Sequence, residues 1–358
     1  MTKEILKNLR KGITENVYQD AELLVSKSGK TVFHEFAGQP NNQKGNFFDL
    51  ASLTKPLCTA MLCMLAYEQG KLNLDALLTD FYPQTTLTKT TIRELLNHTS
   101  GLIDWFPFYE KWITNTKESS TEIKRLILQD IHTNPGLFKE SGKTTYSDLG
   151  YMILGDLLEK IYKQNLDIAF NEFIATPLQL ENQIFFRSLN KNNNQNISLF
   201  IPSEICELRG KTMQAEVMDR NTYVMGGVSG HAGLFGNALA IHRLLEELHI
   251  ARQGNSKLIK QKTFELFCKP DLNRDAKKAS FTLGFDTKTE GISQSGNLLS
   301  TNTIGHLGYA GANFWWDLEC DLWIIFLTNR CMPSRENKKI SKFRPALHDL
   351  IVNDLGDS

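Results

Sequence analysis

The sequence predicts an α+β fold in which one antiparallel sheet is built from both ends of the chain, with a mainly helical insert between them. Two short runs with strand character lie near the N-terminus and two more near the C-terminus, whereas the middle repeats apolar residues at helical spacing. We therefore expect residues 1–70 and 215–358 to form a sheet domain with flanking helices, and residues 71–214 to form the insert. A ligand cleft is expected where the two parts meet.

The N-terminal strands are predicted to form a hairpin. Residues 21–25 and 31–36 flank a polar turn, in which Gly29 supplies the reversal. The later segment 51–69 is apolar almost throughout and is followed by Gly70, which predicts a helix buried on most of its faces.

Helices and a second pair of strands account for most of the remaining chain. The asparagine-rich residues 189–197 are the exception and are expected to form a polar loop. The predicted elements are helices at 91–97, 120–132, 149–162, 237–250 and 343–353, and strands at 313–316 and 322–327.

The composition is that of an ordinary globular protein and excludes several classes of function. The 358 residues are 41% hydrophobic, and 40 basic residues balance 40 acidic ones, which argues against a nucleic-acid-binding protein. No apolar run is long enough to span a bilayer, and the first twenty residues lack the apolar core of a signal peptide. We therefore expect a cytoplasmic protein, or a periplasmic one if a leader was removed. The six cysteines form no C-x-x-C pair and are expected to be reduced and mostly buried.

Motifs for the commonest cofactor chemistries are missing from the sequence. It contains no H-E-x-x-H, no paired-cysteine zinc spacing and no EF-hand loop. It also contains neither a G-x-G-x-x-G fingerprint nor a Walker A sequence, and the G-x-S-x-G elbow of α/β-hydrolases is missing. We expect a protein that uses no metal or other cofactor.

The segment Ser52-Leu-Thr-Lys55 is the strongest candidate for chemistry. Residues three apart on a helix share a face, so a partly desolvated Lys55 can exchange a proton with Ser52. Pro56 places this tetrapeptide in the first helical turn, where free backbone N–H groups stabilise an oxyanion. The alternative is a helix-capping serine with a solvated lysine. A second copy, Ser188-Leu-Asn-Lys191, lies in the polar loop and is not expected to be catalytic.

The segment Tyr146-Ser-Asp148 precedes an apolar helix and is a second candidate. A tyrosine beside a lysine loses its proton more easily and can act as a general base on a serine. Asp148 can hold Lys55 charged and oriented. The alternative is a helix N-cap next to a surface tyrosine.

The segment Gly305-His306-Leu-Gly308-Tyr309 precedes the C-terminal hairpin and is the third candidate. A strand passing the serine here can supply a second backbone N–H to an oxyanion, and glycine allows substrate to approach closely. The rival segment His231-Ala-Gly233 has the same form but is followed by a helix-like segment. We therefore expect His306 beside the serine and His231 in a loop flanking the cleft.

In this order, Ser-x-x-Lys, Tyr-Ser-Asp and His-x-Gly resemble the motifs of the serine β-lactamase and penicillin-binding superfamily. More narrowly, the sequence is similar to class C β-lactamases, D-alanyl-D-alanine carboxypeptidases and their esterase relatives. The likeness covers roughly residues 20–352 and includes accessory segments at 51–56, 95–102 and 226–235. It implies the β-lactamase/transpeptidase-like fold and a serine hydrolase that acts on an ester, amide or β-lactam through an acyl-enzyme.

The resemblance also implies roles for individual residues. Ser52 would be acylated, with Lys55 and Tyr146 taking and returning its proton. Backbone N–H groups of Ser52 and Tyr309 would form the oxyanion hole, and water would hydrolyse the acyl-enzyme. His98 is expected to fasten the helical part without taking part in the chemistry.

Substrate binding would also involve Asp148, His306 and Gly308, and two of these depart from the family pattern. Asp148 stands where Asn is frequent, so its charge is expected to keep Lys55 protonated and to shift the base role towards Tyr146. His306 stands where Lys is common, which weakens capture of a penicillin's carboxylate. The pattern therefore favours a peptidase, amidase or esterase over a strong β-lactamase.

Two alternatives remain open. Residues 219–221, Asp-Arg-Asn, resemble a subgroup associated with peptidoglycan recycling, some members of which cleave the amide between N-acetylmuramic acid and its peptide. A muropeptide-like substrate is therefore one candidate. The other alternative is a non-catalytic ligand- or partner-binding protein on the same scaffold. Exposed aromatic residues are expected either to form a partner surface or to border the cleft, namely Trp105, Phe106, Phe108 and Tyr109.

Overall fold

The computed structural model describes residues 2–114, 117–139, 142–191, 195–272, 278–291 and 293–356. The strands in these ranges are β1 (Ala21–Lys27), β2 (Lys30–Ala37), β3 (Phe48–Asp49), β4 (Ile184–Phe186), β5 (Glu204–Cys206), β6 (Lys211–Met213), β7 (Leu234–Gly236), β8 (Asp286–Thr287), β9 (Thr303–Leu307), β10 (Asn313–Asp317) and β11 (Leu322–Thr328). The main sheet is antiparallel and has the order β2-β1-β11-β10-β9-β8. Because β1 pairs with β11 along its whole length, the expected assembly of one sheet from both ends of the chain is confirmed.

Both faces of the main sheet are covered. Side chains alternate along a strand, so Leu24 and Ile325 belong to one face and Leu23 and Ile324 to the other. The first face joins a large core that continues into the helical middle of the chain, and the second joins a separate core beneath the terminal helices. β11 is buried along its whole length, as expected for a strand covered on both faces.

Helices surround the sheet and fill the middle of the chain. In the described ranges they are α1 (Thr2–Thr14), α2 (Met61–Glu68), α3 (Ile92–Leu96), α4 (Ser120–Thr133), α5 (Asp148–Tyr162), α6 (Leu166–Phe170), α7 (Arg220–Val224), α8 (Ala238–Arg252), α9 (Gln261–Cys268) and α10 (Ile340–Gly356). The five predicted helices outside 51–69 correspond to α3, α4, α5, α8 and α10. α1, in the polar N-terminal segment, is not among the predicted helices, and its residues Ile5 and Leu9, four apart, bury one of its faces.

The segment 51–69 begins with two non-standard windings instead of a uniform helix. A 3₁₀ turn spans Ala51–Leu53, a π-helical stretch spans Lys55–Ala60, and α2 follows. Residues 53–66 are all buried, which confirms the expected burial on most faces. π-Helical stretches inside helices recur at functional sites, and this one begins at the lysine of the Ser-x-x-Lys motif.

The predicted aromatic surface is smaller than expected. Trp105 and Phe106 are exposed, but Phe108 and Tyr109 are buried in the large core, where the Asn221 side chain accepts the Tyr109 backbone N–H. The exposed pair is therefore what remains of that surface.

Three other expectations concern the whole chain. All six cysteines are free thiols, and every one except Cys320 is buried, as predicted. No helix in the described part of the chain is long and apolar enough to cross a membrane. The division into a sheet domain and a helical insert stays a prediction.

Candidate active site

The serine of the Ser-x-x-Lys motif lies in a turn with an unusual backbone. Asp49 ends β3, and Ala51, one residue before Ser52, has a left-handed φ of 46°. The 3₁₀ turn then presents the partly buried Ser52 at the start of the helical segment, as Pro56 predicts. Thr54 Oγ1 donates a hydrogen bond of 2.7 Å to the Ala51 carbonyl and fixes the other side of the turn.

Lys55 is fully buried, and its side-chain nitrogen has three hydrogen-bond partners. Nζ lies 3.0 Å from Ser52 Oγ, 2.7 Å from Asp148 Oδ1 and 3.1 Å from the backbone carbonyl oxygen of His231. Because an ammonium group has three protons, these contacts fix its orientation. Burial lowers the pKa of Lys55, and the charge of Asp148 opposes this shift without cancelling it.

Tyr146 lies against both of these residues. Its hydroxyl is hydrogen-bonded to Ser52, and Lys55 Nζ is 4.9 Å from the centroid of its ring. Burial, followed by the charge of Asp148, raises the pKa of Tyr146 well above its usual value. The phenol is therefore protonated at neutral pH. The expectation that Asp148 shifts the base role towards Tyr146 is not supported. Burial favours the neutral forms of Lys55 and Tyr146, and neutral lysine is a base whereas neutral tyrosine is an acid.

The start of α5 separates helix capping from charge pairing. Ser147 is the N-cap and accepts a backbone N–H of the first turn, which leaves the Asp148 carboxylate for Lys55. His98 Nδ1 accepts the Ser147 N–H at 3.0 Å, and its ring lies 4.7 Å from that of Tyr146 between centroids. These contacts agree with a fastening role for His98.

β9 and the residue that follows it, Gly308, carry the Gly-His-x-Gly segment past the nucleophile turn. A β-carbon on Gly308 would lie 2.7 Å from the Leu50 carbonyl oxygen, so a larger residue here would displace the strand. The Gly308 N–H donates to the Ala312 carbonyl at 2.7 Å, and the Tyr309 carbonyl accepts from Arg330 Nε at 2.8 Å. The backbone N–H of Tyr309, the predicted oxyanion donor, therefore lies between two anchored groups.

His306 is buried in β9 and carries no charge at neutral pH. Its Nδ1 lies 2.9 Å from the Leu307 carbonyl oxygen, and its Nε2 has no partner in the described ranges. Burial, followed by the charge of Lys55, lowers the pKa of His306 to about 3. This agrees with the expected loss of a fixed positive charge at this place.

His231 lies in the site itself, where the sequence predicts only a flanking loop. β7 follows it and pairs with β3 and β4, so the expectation of a helix directly after this segment is wrong. The short run of residues 234–236 is recognisable as a strand only once its pairing partners are in place. The His231 ring lies between Ser229 Oγ, 2.8 Å from Nδ1, and Asp219 Oδ1, 3.0 Å from Nε2, while its carbonyl orients Lys55.

Two cavities meet at this cluster. The first, of about 480 Å³, borders His306 and Gly308, and the second, of about 410 Å³, borders Asp148 and His231. The residues that line both cavities are Ser52, Tyr146 and Tyr309. All seven predicted site residues are thus brought together. Among the described residues, no group of His, Cys, Asp and Glu side chains could hold a metal ion.

Two arginines of the first cavity are candidates that the motifs do not reveal. Arg330 and Arg344 are 6% and 4% exposed, and the acceptors of both guanidinium groups in the described ranges are uncharged. Nε of Arg344 has no partner in those ranges, and burial, with a smaller contribution from Arg330, lowers the pKa of Arg344 to about 9. Arg330 lies two residues after β11 and Arg344 lies in α10, so nothing in the sequence connects them with Ser52.

Comparison with known proteins identifies relatives among amidases and peptidases. The Beta-lactamase family model matches residues 6–342. The chain is 29% identical to an N-acetylmuramyl-L-alanine amidase of Bacillus subtilis (strain 168), covering 87% of this chain and 77% of that protein. It is 27% identical to a putative D-alanyl-D-alanine carboxypeptidase of Escherichia coli (strain K12), covering 91% of this chain and 82% of that protein.

Solved structures share the fold at low sequence identity. The octameric penicillin-binding protein homologue from Pyrococcus abyssi has a TM-score of 0.72 and 17% identity, covering 98% of this chain and 77% of that one. EstCE1, a hydrolase with promiscuous acyltransferase activity, has a TM-score of 0.70 and 20% identity, covering 97% and 98%. The expected β-lactamase/transpeptidase-like fold is confirmed. With a family model that spans nearly the whole chain, this protein belongs to the beta-lactamase family of hydrolases.

Proposed function

We propose that the protein is a serine hydrolase of the class C β-lactamase-like type that forms an acyl-enzyme on Ser52. The observation that carries the proposal is the anchoring of Lys55 Nζ by three oxygens. When Lys55 is neutral, Asp148 and the His231 carbonyl accept its two N–H groups, so the nitrogen lone pair faces Ser52 Oγ. A buried lysine with a lowered pKa is then a base held against the proton of the nucleophile.

Acylation follows from this arrangement. Ser52 Oγ attacks the substrate carbonyl carbon while its proton passes to Lys55 Nζ. The carbonyl oxygen becomes an oxyanion, and the backbone N–H groups of Ser52 and Tyr309 stabilise it by about 3 kcal/mol for each donor. Asp148 stabilises the ammonium group that forms at Lys55.

Loss of the leaving group requires a proton on its nitrogen or oxygen atom. Tyr146 keeps its proton because of the raised pKa and lies in hydrogen-bond contact with Ser52, so it donates this proton to the leaving group and Lys55 restores it. A water molecule then attacks the acyl carbonyl as its proton passes to Lys55. Ser52 departs from the carbonyl carbon and regains its proton.

The first cavity favours a substrate that carries a carboxylate. Arg330, Arg344 and Lys338 border it, with Asp286 as the acidic residue among the described lining. A buried charge without a counter-ion is unfavourable, and a bound carboxylate supplies one. The two arginines thereby weaken the sequence argument from His306 against carboxylate-bearing substrates. We propose an amide or peptide with its carboxylate on the β9 side, in preference to a neutral ester.

Two kinds of bond fit this description. One is the terminal peptide bond of an acyl-D-alanyl-D-alanine, the bond after which the Escherichia coli relative is named. The second candidate is the amide between muramic acid and L-alanine, favoured by the name of the Bacillus subtilis relative, which has the higher identity of the two. In both, the leaving amine is part of an amino acid or peptide with a carboxylate.

Turnover of three substrates tests the proposal: an acyl-D-alanyl-D-alanine peptide, an N-acetylmuramoyl-L-alanyl peptide and p-nitrophenyl acetate. Ser52→Ala should lower kcat by about 1,000-fold or more, whereas Ser188→Ala, in the second Ser-x-x-Lys copy, is the matched control and should leave it unchanged. A carboxylate-bearing peptide should be preferred to the ester. Undiminished hydrolysis by Ser52→Ala would contradict the proposal, and wild-type protein that binds these peptides without cleaving them would favour a binding protein on this scaffold.

A further inference from the structure

Asp49 is a buried carboxylate beside the nucleophile turn that the mechanism above does not use. It is 3% exposed and ends β3, three residues before Ser52. Its Oδ1 accepts the Ala51 N–H at 2.8 Å, and its Oδ2 accepts the Met218 N–H at 2.7 Å. Both carboxylate oxygens therefore hold backbone groups, and neither contacts the reacting atoms.

The first of these bonds restrains a strained residue. Ala51 has a φ of 46°, a left-handed conformation that a side chain with a β-carbon adopts only when its surroundings enforce it. The Ala51 N–H is held by Asp49 and its carbonyl by Thr54 Oγ1. Rotation about the Ala51 backbone would turn Ser52 away from Lys55, so these two bonds set the direction of the nucleophile.

The second bond reaches the other side of the site. Met218 directly precedes Asp219, whose carboxylate is bonded to the His231 ring. The His231 carbonyl in turn accepts from Lys55 Nζ. One carboxylate thus connects the turn that carries the nucleophile with the chain segment that orients its base.

We propose that Asp49 is a positioning residue whose ionised carboxylate holds Ala51 in its left-handed conformation and thereby keeps Ser52 directed at Lys55. This inference rests on the proposed function, because it takes Ser52 as the nucleophile. Protonation of Asp49 would place a hydrogen on one of the two oxygens that now accept backbone N–H groups. The turn would lose one of its restraints while the fold persisted.

The charges around Asp49 locate the pH at which this happens. Burial and the nearby Asp219 raise the pKa of Asp49, the two backbone N–H groups and Arg209 lower it, and the balance is about 6. The neighbouring Cys331 thiol has a pKa raised by burial to about 11, so it is uncharged in this range. Activity should therefore decline as the pH falls through about 6, because the ionised form of Asp49 is lost below its pKa.

The experiment is a double-mutant cycle between Asp49→Asn and Ala51→Gly, read out as the rate constant for fluorophosphonate labelling from pH 4.5 to 8. Asp49→Asn keeps the shape of the side chain but only one acceptor, and it should slow labelling about 10- to 100-fold and flatten the limb near pH 6. Glycine adopts positive φ without strain, so Ala51→Gly in the Asp49→Asn background should restore most of the lost rate. In turnover assays the loss should fall on kcat, with KM little changed.

Asp317→Asn is the matched control. Asp317 is also a buried carboxylate that accepts backbone N–H groups, those of Ser300, Glu319 and Cys320, but it lies at the end of β10 away from the site. This variant should lose stability without moving the pH profile. The inference would be overturned if Asp49→Asn were labelled at the wild-type rate. It would also be overturned if Asp49→Asn were labelled slowly and Ala51→Gly did not restore the rate.

A variant that keeps Asp49 covers the case in which Asp49→Asn does not fold. Ala51→Gly alone should weaken the limb near pH 6, because a turn without strain no longer depends on the carboxylate. An unchanged limb in Ala51→Gly would overturn the inference. Wild-type protein that the probe does not label would instead contradict the proposed function itself, and the inference with it, so the two failures are distinguishable.

Discussion

His231 and His306 belong to the same short motif, His-x-Gly, and both are buried around Ser52, yet the protein uses them differently. The His231 ring is held by Asp219 and Ser229, and its backbone carbonyl orients the base. The His306 ring has an unpartnered Nε2 among the described residues and borders the first cavity.

The two histidine rings differ in the groups that the fold places against them. Asp219, at the start of α7, bonds to the His231 ring. Burial raises the pKa of Asp219, but the contacts with His231 and Thr222 lower it, and the net shift is downward. No carboxylate bonds to the His306 ring in the described ranges, and two arginines border its cavity. One side of the site is thus a hydrogen-bonded support for Lys55, and the other is a recess bordered by arginines, where we propose that the substrate carboxylate binds.

Removal of the His231 ring should have the largest effect on this comparison. His231→Ala leaves Asp219 with only its hydrogen bond to Thr222, and because the Asp219 side chain is 24% exposed we expect a loss of about 2 kcal/mol in the free energy of unfolding. Loosening of the carbonyl that holds Lys55 should lower kcat about 100-fold. Urea denaturation and turnover measure the two effects. His306→Ala is the counterpart, and equal losses of kcat in both variants would show that the two rings do not differ in role.

The cationic side is tested next by Arg344→Gln. A substrate carboxylate bound there should lose about 1.5–3 kcal/mol of binding, which raises KM roughly 10- to 100-fold. Hydrolysis of a neutral ester with the same acyl group should not change. Arg335→Gln is the matched control, because Arg335 borders the second cavity and is already paired with Glu204 at 2.7 Å. A rise in KM for the ester as large as that for the peptide would contradict the carboxylate assignment.

The support of Lys55 predicts a shift in pH dependence. The charge of Asp148 and its hydrogen bond both raise the pKa of Lys55, so Asp148→Asn should lower that pKa further. The neutral amine is the active form, and it is present above the pKa. In a series of labelling rates measured at different pH values, the limb assigned to Lys55 should therefore move to lower pH, and the plateau should be lower. A shift to higher pH would show that Asp148 does not act on Lys55 by charge.

The smallest expected effect concerns the charge of His306. With a pKa near 3, its imidazole should keep one set of ¹⁵N chemical shifts between pH 5 and 8. Assignment of its resonances by comparison with His306→Gln makes the measurement specific. Protonation of the imidazole within that range would show that His306 carries a positive charge, which would contradict the difference drawn between the two histidines.

The sequence predicts the local parts of the site well. Ser52, Lys55, Tyr146 and Asp148 lie in motifs whose spacing is set by a single helix or helix start, and the structure brings them together. Gly308 is predicted from the need for substrate to approach closely, whereas in the structure it is the Leu50 carbonyl oxygen that leaves no room for a β-carbon.

The parts that the sequence does not predict depend on contacts between distant segments. β7 is three residues long, and its pairing with β3 and β4 decides its conformation more than its own residues do. Arg330 and Arg344 reach the cavity from the turn after β11 and from α10, and no spacing rule links them to Ser52. The pKa directions of Lys55 and Tyr146 are likewise properties of burial, which only the packed structure supplies.

The central claim is that Lys55 activates Ser52. The most direct measurement is peptide-mapping mass spectrometry after reaction with a fluorophosphonate, with a time course for wild-type protein and Lys55→Met. We predict an adduct on the peptide that contains Ser52, none on the peptide that contains Ser188, and labelling at least about 100-fold slower in Lys55→Met. An adduct on another residue, or equal labelling rates in the two proteins, would contradict the claim.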